Sequence, residues 1–544
     1  MNVALALEGN DWWRRAVFYQ LYPRSFQDSN ADGIGDLQGI IDRLDHLRGR
    51  GDSLGVDAVW LSPTFPSPMK DFGYDVSDYL GVHPDFGDMA TMDRLIAECH
   101  RRGIRILLDW VPNHTSDQHP WFLDSRSSRS NPHRDWYIWR DARPDGSLPN
   151  NWRAVFGGPA WTRDEATGQY YLHSFLEEQP DLNWRNPAVV DAMHDTLRFW
   201  LRRGIDGFRI DVMGMIVKHP DLADNPLNPH WSPGSAEPKF LWSSNRNYPD
   251  VYEAVRGIRA VLDEFPGSMA VGEVFGTPDE IARYYGSRSG LDGLHLAFNF
   301  QFIHEHGHVF TAWDAESMRR IVQNAEAAVP PGALPCWAFG NHDRSRFISR
   351  HDHDGRGHER ARAAAVLLLM LRGVPFIYYG EEIGMADVGI PDSRLQDPAR
   401  FHTPGRDPER TPMQWDGSPS RGFSAVEPWL PYGPADVNVA ARQHDPASIL
   451  ALYRRAIGLR REFRSLEQGS LRVLPSHPDV FAFERSLAGE PSATVLINTA
   501  TGVRRASLHS PGRVLLTSRA AGAAGQTGQD FEIGPLEAMV IIHG

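Results

Sequence analysis

Short runs of β-branched and aromatic residues alternate along the chain with longer stretches whose apolar positions recur every three or four residues. Eight runs read as strands: Val17–Tyr22, Ala58–Pro63, Arg105–Val111, Gly207–Val212, Met269–Val274, His295–Phe300, Pro335–His342 and Val374–Gly380. Amphipathic helical patterns lie between them, for example Met92–Gly103, Val189–Gly204 and Glu359–Gly373. This order predicts parallel strands with right-handed crossovers, and eight such units over roughly 450 residues predict an α/β fold, a closed (β/α)8 barrel of the TIM type. About seventy Pro-, Asn-, Trp- and Gly-rich residues follow the third strand, too many for a structureless loop. The expected organisation is a first barrel part over 1–111, an inserted subdomain over 112–183 and a second barrel part over 184–467. Short alternating runs after that predict a C-terminal antiparallel β-sandwich over 468–544. The polar run His351–Arg360 reads as an exposed loop.

The 544 residues carry 56 basic and 69 acidic side chains, a formal charge of −13. That balance argues against a nucleic-acid partner, which calls for a basic patch. The longest uncharged aliphatic run, Ala363–Leu371, is about half the ~18 residues of a bilayer span and reads as a buried helix. The N-terminus, MNVALALEGNDWWRR, lacks the basic and apolar regions of a secretory signal. Cys99 and Cys336 have no metal spacing and are expected reduced. A cytoplasmic protein without a membrane partner is therefore expected, its oligomeric state open. The 17 Trp, 15 Tyr and 26 Phe suit a core but also sugar stacking.

Several predicted strands end in polar groups: Asp109 with Asn113 and His114, Arg209 with Asp211, Glu273, and Asn341 with His342 and Asp343. A single Asp after a strand is often a helix cap. Acids, an Arg and two His on successive strand ends of one barrel instead point to convergent catalytic groups, where crowded carboxylates shift one another's pKa.

In order along the chain, DWVPNH, GFRIDV, AVGEV and FGNHD resemble the four signature regions of the α-amylase superfamily, glycoside hydrolase family 13. QPDLN, GVPFIYYGEEIGM and RTPMQWD narrow the resemblance to the oligo-1,6-glucosidase and α-glucosidase subgroup. The resemblance implies a retaining, exo-acting α-glucosidase that releases glucose from the non-reducing end of small oligosaccharides or disaccharides. Both α-1,6 and α-1,4 linkages are expected, with transglucosylation. Asp211 would be the nucleophile, kept ionised by Arg209; Glu273 the general acid and base; and Asp343 the stabiliser of the oxocarbenium-like transition state. His114 and His342 would bind hydroxyls and Tyr74 would stack on the sugar. An Asp71–Arg410 ion pair would close the far wall. Phe72 departs from the Asn usual in the subgroup. Phe156 and Phe175 match pocket-lining aromatics, with ordinary packing as the alternative. Val212 would favour α-1,6 linkages, or else would simply continue a strand. Sucrose- and trehalose-type glucosyl isomerases and transglycosylases share the triad and stay open. Non-catalytic transporter-partner subunits would lack acids that this chain retains.

Asp28-x-Asn30-x-Asp32-Gly33-x-Gly35-Asp36 has the alternate oxygen donors of a hard-cation loop, without the bidentate Glu of an EF-hand. It resembles the subgroup's structural Ca²⁺ or Mg²⁺ loop, with Ile34 giving its carbonyl. An Asx-bonded turn is the alternative. His304-Glu305-His306-Gly307-His308 contains H-E-x-x-H, a zinc-protease signature when helical, but Gly307 disfavours the helix and no third ligand follows.

Overall fold

The computed structural model describes residues 9–49, 51–234, 238–287, 290–306, 309–401, 405–519 and 524–544. The barrel strands are β1 (Phe18–Leu21), β2 (Ala58–Leu61), β3 (Arg105–Trp110), β4 (Gly207–Ile210), β5 (Met269–Gly272), β6 (Leu296–Asn299), β7 (Cys336–Ala338) and β8 (Val374–Tyr378). They pair in parallel in sequence order, and β8 returns to β1 to close the barrel. Each expected run contains its strand.

Alternation along the strands decides what fills the barrel. Phe18, Trp60, Leu107, Val271, Phe298 and Phe376 point inward and pack with Trp12 and Trp13. The intervening Tyr19, Leu61, Leu108, Phe208 and Ile210 point outward into the helix-covered core. Two residues further along the inward face stand Gln20, Asp109 and Glu273, so the interior turns from apolar to polar towards the C-terminal rim. Gly207 is needed where β4 meets β5, because a Cβ there would lie 2.1 Å from the Met269 carbonyl oxygen.

The strands are followed in turn by α1 (Leu37–Leu47), α2 (Met89–Arg101), α3 (Pro187–Arg202), α4 (Val251–Asp263), α5 (Pro278–Ala282), α6 (Ala315–Ala328), α7 (Gly357–Met370) and α8 (Ile449–Glu462). Side chains of Asp36, Asp88, Asp314 and Ser448 accept N–H groups in the first turns of α1, α2, α6 and α8. α7 is buried almost all round, between α8 and the C-terminal sheet, which explains its uninterrupted apolar run. The expected exposed loop at 351–360 is only partly exposed. His351 is buried, α7 already begins at Gly357, and Arg360 pairs with Asp354.

Residues 112–183 leave the barrel after β3 and form a three-stranded antiparallel sheet from Trp139–Arg140, Trp161–Arg163 and Tyr170–Leu172. Buried Lys218, from the β4–α4 connection, reaches Asn113 Oδ1 and Asp181 Oδ2, each at 2.7 Å. It thereby ties the β3 end, the excursion and the β4 loop together.

The C-terminal strands are β9 (Ser470–Val473), β10 (Val480–Ser486), β11 (Ala493–Asn498), β12 (Arg504–Thr517), β13 (Thr527–Ile533) and β14 (Ala538–Ile542). They form one antiparallel sheet in the order β9-β10-β11-β14-β12-β13. Phe481, Val495 and Val540 join the barrel-side core, while Val480, Leu496, Phe531 and Ile541 enclose a second core. The 14-residue β12 shifts register against both neighbours. These strands give the expected antiparallel C-terminal β domain, as one hydrogen-bonded sheet that contributes to two cores.

Candidate active site

The polar rim centres on Arg209. Cross-strand register sets Asp109 beside Arg209, and the chain runs on from β4 and β5 to Asp211 and Glu273. Arg209 Nη1 lies 2.9 Å from Asp109 Oδ1 and 2.7 Å from Asp211 Oδ1, and its Nη2 lies 2.9 Å from Glu273 Oε2. Trp60 Nε1 and Tyr74 Oη also donate to Asp109 Oδ2, at 3.1 and 3.0 Å. Three buried carboxylates therefore share one guanidinium. Burial pushes Asp211 well above the usual carboxylate range; Arg209 opposes this, and the charges of Glu273 and Asp109 reinforce it. Burial also pushes Asp109 up to about 6, against the pull of Arg209. Arg209 makes the expected contact with Asp211, and its charge opposes the effect of burial. Such a cluster takes up and gives up a proton readily, as acid and base chemistry requires.

Among the described residues, the Glu273 side chain makes its contacts through Oε2, with Arg209 and with the Val212 N–H at 3.1 Å. Strand β4 ends at Ile210, and Val212 has φ 34° and ψ 45°. A β-branched residue in the left-handed region is strained. The reading of Val212 as an ordinary strand residue is therefore corrected: it forms the turn that aims Asp211 and offers its N–H to Glu273.

Asp343 closes the other side. Its side chain is 28% exposed, against 8% for Asp211 and 5% for Glu273. Arg406 Nη1 and Arg410 Nη2 reach Asp343 Oδ1 at 3.1 and 2.9 Å. Burial would raise Asp343, yet the surrounding positive charge, Arg406, Arg410 and Arg209 included, holds it well below the usual range. The Asp71 partner is Arg406, at 2.7 Å, and the expected Asp71–Arg410 pair is not formed. Arg410 ends a short 3-10 turn that directs its Nε to the His342 carbonyl oxygen at 2.7 Å, whereas Arg406, before that turn, faces Asp71 and Asp397.

The remaining candidates gather around this wall. Arg406 lies 5.1 Å from the Phe156 ring centre, Phe156 meets Phe175 edge-on at 5.8 Å, and Phe175 lies 5.1 Å from His114. Gln179 Nε2 donates to Asp71 Oδ2 and meets His114 Nε2, both at 3.1 Å. Tyr74 stacks on His342, with its hydroxyl 2.6 Å from Nε2, and Gln20 meets Nδ1 at 2.8 Å. Burial lowers His114 to about 4 and His342 to about 3, so both rings are neutral near pH 7. A sugar hydroxyl reaching either Nε2 would share it with Gln179 or Tyr74. Phe72, at φ 48°, packs against Trp429 and beneath Arg24.

The loop at Asp28–Asp36 has the oxygen-only donors that a hard cation takes, but its carboxylates are already engaged. Asp28 accepts from the N–H groups of Asn30, Ala31 and Gly33, and Asp36 accepts from those of Ser29 and Gly39. Asp32 accepts from Ile34 N–H and Asn30 Nδ2. Among the described residues, no group of three His, Cys, Asp or Glu side chains is arranged to hold a metal. His304–His306 is a strand paired with Val309–Phe310, which removes the helix that the zinc motif needs; Gly307 and His308 lie outside the described residues.

The sequence reading assigned no role to Gln179, Arg406, Asp397 or Lys218. Arg406 carried a signal, an arginine four positions before Arg410 and followed by Asp407 and Glu409, but spacing alone does not say which of the two meets Asp71.

A family model described as alpha amylase, catalytic domain, matches residues 20–469. A probable alpha-glucosidase of Rhizobium meliloti is 44% identical over 502 residues, covering 88% of each chain. The oligo-1,6-glucosidase of Parageobacillus thermoglucosidasius is 40% identical over 514 residues, covering 88% of this chain and 89% of that one. Among solved structures, the alpha-glucosyl transfer enzyme XgtA superimposes with a TM-score of 0.90 at 36% identity, over 98% of this chain and 99% of that one.

Proposed function

Because the chain belongs to the α-amylase family and is a glycoside hydrolase of its α-glucosidase type, we propose that it is a retaining exo-α-glucosidase acting on short α-1,4- and α-1,6-glucosides. Asp211 Oδ2, which no described residue hydrogen-bonds, attacks the anomeric carbon while the Asp211 Oδ1 contact with Arg209 holds the carboxylate in line. Glu273 Oε1, which no described residue hydrogen-bonds, protonates the departing oxygen and later takes a proton from water. Asp343, kept ionised, faces the positive charge that develops on the sugar ring.

The observation that carries the exo reading is the Asp71–Arg406–Asp343 bridge, which walls off the site beyond the terminal sugar. Initial rates on maltose, isomaltose, sucrose, trehalose and starch, with product analysis, test it. Glucose from the disaccharides with starch barely touched supports the proposal. Rapid internal cleavage of starch overturns it. Likeness to an alpha-glucosyl transfer enzyme over nearly the whole chain favours a second reading, transglucosylation, which glucosylated products would reveal; sucrose converted to an isomer would mark the isomerase alternative.

The proposed cation of the Asp28–Asp36 loop is Ca²⁺ or Mg²⁺ in a structural role, supported by the donor chemistry alone. The proposed location is cytoplasmic; among the described residues no helix is long and apolar enough to cross a membrane.

A further inference from the structure

Beside the turn that carries Asp211 stands a guanidinium that meets no acceptor among the described residues. Arg246 belongs to a short segment pinned on both sides. Asn245 Oδ1 takes a hydrogen bond from Asn225 Nδ2 at 2.9 Å. Asn247 N–H donates to the Gly214 carbonyl oxygen at 2.7 Å, and Asn247 Nδ2 donates to that of Phe275 at 2.8 Å. Gly214 lies two residues beyond Val212, and Phe275 two beyond Glu273. The segment is therefore mounted directly on the ends of β4 and β5 that supply the nucleophile and the acid.

The Arg246 guanidinium lies 4.8 Å from the Trp242 ring centre and 5.9 Å from that of Phe275. No acceptor among the described residues meets it, and its Nε is closed off from solvent as well. Burial works against its charge while Glu273 supports it. Glu273 forms no ion pair with it; its side chain meets Arg209 and the Val212 N–H through Oε2 instead. The residue as a whole is only half-buried, and its Nη atoms, which are not among the buried unmet atoms, stay open to an incoming acceptor; a rigidly mounted donor gives up little freedom on meeting one.

The leaving oxygen must sit at Glu273 Oε1, so the unit that carries it lies beside the residues just past Glu273 and Val212. We infer that Arg246 is a specificity-determining residue that donates hydrogen bonds to the hydroxyls of the leaving-group sugar, with Trp242 and Phe275 flanking that sugar. In transfer, an acceptor sugar would take the same place. The inference rests on the α-glucosidase reading and adds to it the side of the site that distinguishes one leaving group from another.

The test compares maltose and isomaltose with p-nitrophenyl α-glucoside, whose leaving group has no sugar hydroxyls. Arg246→Met in the full chain should lower kcat/KM by about 10- to 100-fold for the disaccharides and by less than about threefold for the aryl glucoside. Arg246→Lys should recover part of the disaccharide loss, since it keeps a charged donor. Melting temperature and aryl-glucoside turnover report folding for each variant. Equal losses on both substrate types, or no disaccharide loss, would overturn the inference. So would a shift in the basic limb of the aryl-glucoside pH profile, because Arg246 would then act through Glu273. An unsubstituted protein inactive on all three substrates would instead overturn the α-glucosidase reading.

Discussion

Arg406 Nη2 lies 2.7 Å from Asp71 Oδ1, across 335 positions of sequence. The contact fastens the loop after β2 to the long excursion after β8, and Arg406 also reaches Asp343 and Asp397. Arg406→Ala would leave Asp71 buried without its cation, a change that typically costs several kcal/mol. We expect kcat/KM on maltose to fall by more than about 100-fold, with activity on longer chains falling less, because the wall opens. Arg410→Ala should instead act mainly through Asp343 and reduce all substrates alike. Chain-length profiles of the two variants check the distinction.

Asp211→Asn and Glu273→Gln should each lower turnover by about three orders of magnitude or more while leaving the melting temperature within a few degrees. Glucose should leave as the α-anomer. NMR of the first turnovers decides this, and initial β-glucose would remove Asp211 from the nucleophile role.

The acid limb of the rate profile should come from the carboxylate cluster and not from His114 or His342, which burial already keeps neutral. Burial holds Asp109 up at about 6 and raises Asp211 as well, so kcat/KM should fall as pH drops through about 6. Asp109→Asn removes a like charge and frees Arg209 for Asp211, which should move that limb to lower pH. The stability effect has its own sign. The folded value of Asp109 lies above its unfolded value of about 4, so its contribution is full below pH ~4 and is lost as pH rises through about 6. Paired pH–rate and pH–melting series on the two proteins check both.

If the Asp28–Asp36 loop holds a cation, prolonged dialysis against a chelator should lower the melting temperature, and added Ca²⁺ or Mg²⁺ should restore it. Asp32→Ala should abolish the response. An unchanged melting curve in protein shown by elemental analysis to be metal-free would leave a turn closed by hydrogen bonds alone.

Isomaltose should be cleaved at least as well as maltose. Val212→Thr should shift the ratio towards maltose by about 10- to 200-fold, the range of a contact worth ~1–3 kcal/mol. Initial rates on the two sugars measure it. A strong maltose preference that the substitution leaves untouched would end the linkage role, whatever the backbone strain at Val212.

The barrel was legible because inward alternation and strand-helix order are local signals. The eight strands, the buried α7 and the convergence of Asp109, Arg209, Asp211 and Glu273 all follow from them. What escaped depends on contacts distant in sequence. The choice of Arg406 over Arg410 is made by a 3-10 turn that no local pattern announces. That crowded acids shift one another's pKa was legible too, but the burial that is the largest cause of the rise at Asp211 and Asp109 was not.

Lys218 gives the excursion after β3 a clamp whose positive charge is part of the polypeptide. A diffusible ion in that position would come and go with its concentration and could be stripped by a competing ligand. A lysine headgroup on its own backbone has an effective concentration set by its tether and is never diluted away. The tie between the excursion and the barrel thus needs no dissolved cation, and its weak point is inherited: a substitution at Lys218, Asp181 or Asn113 would undo it.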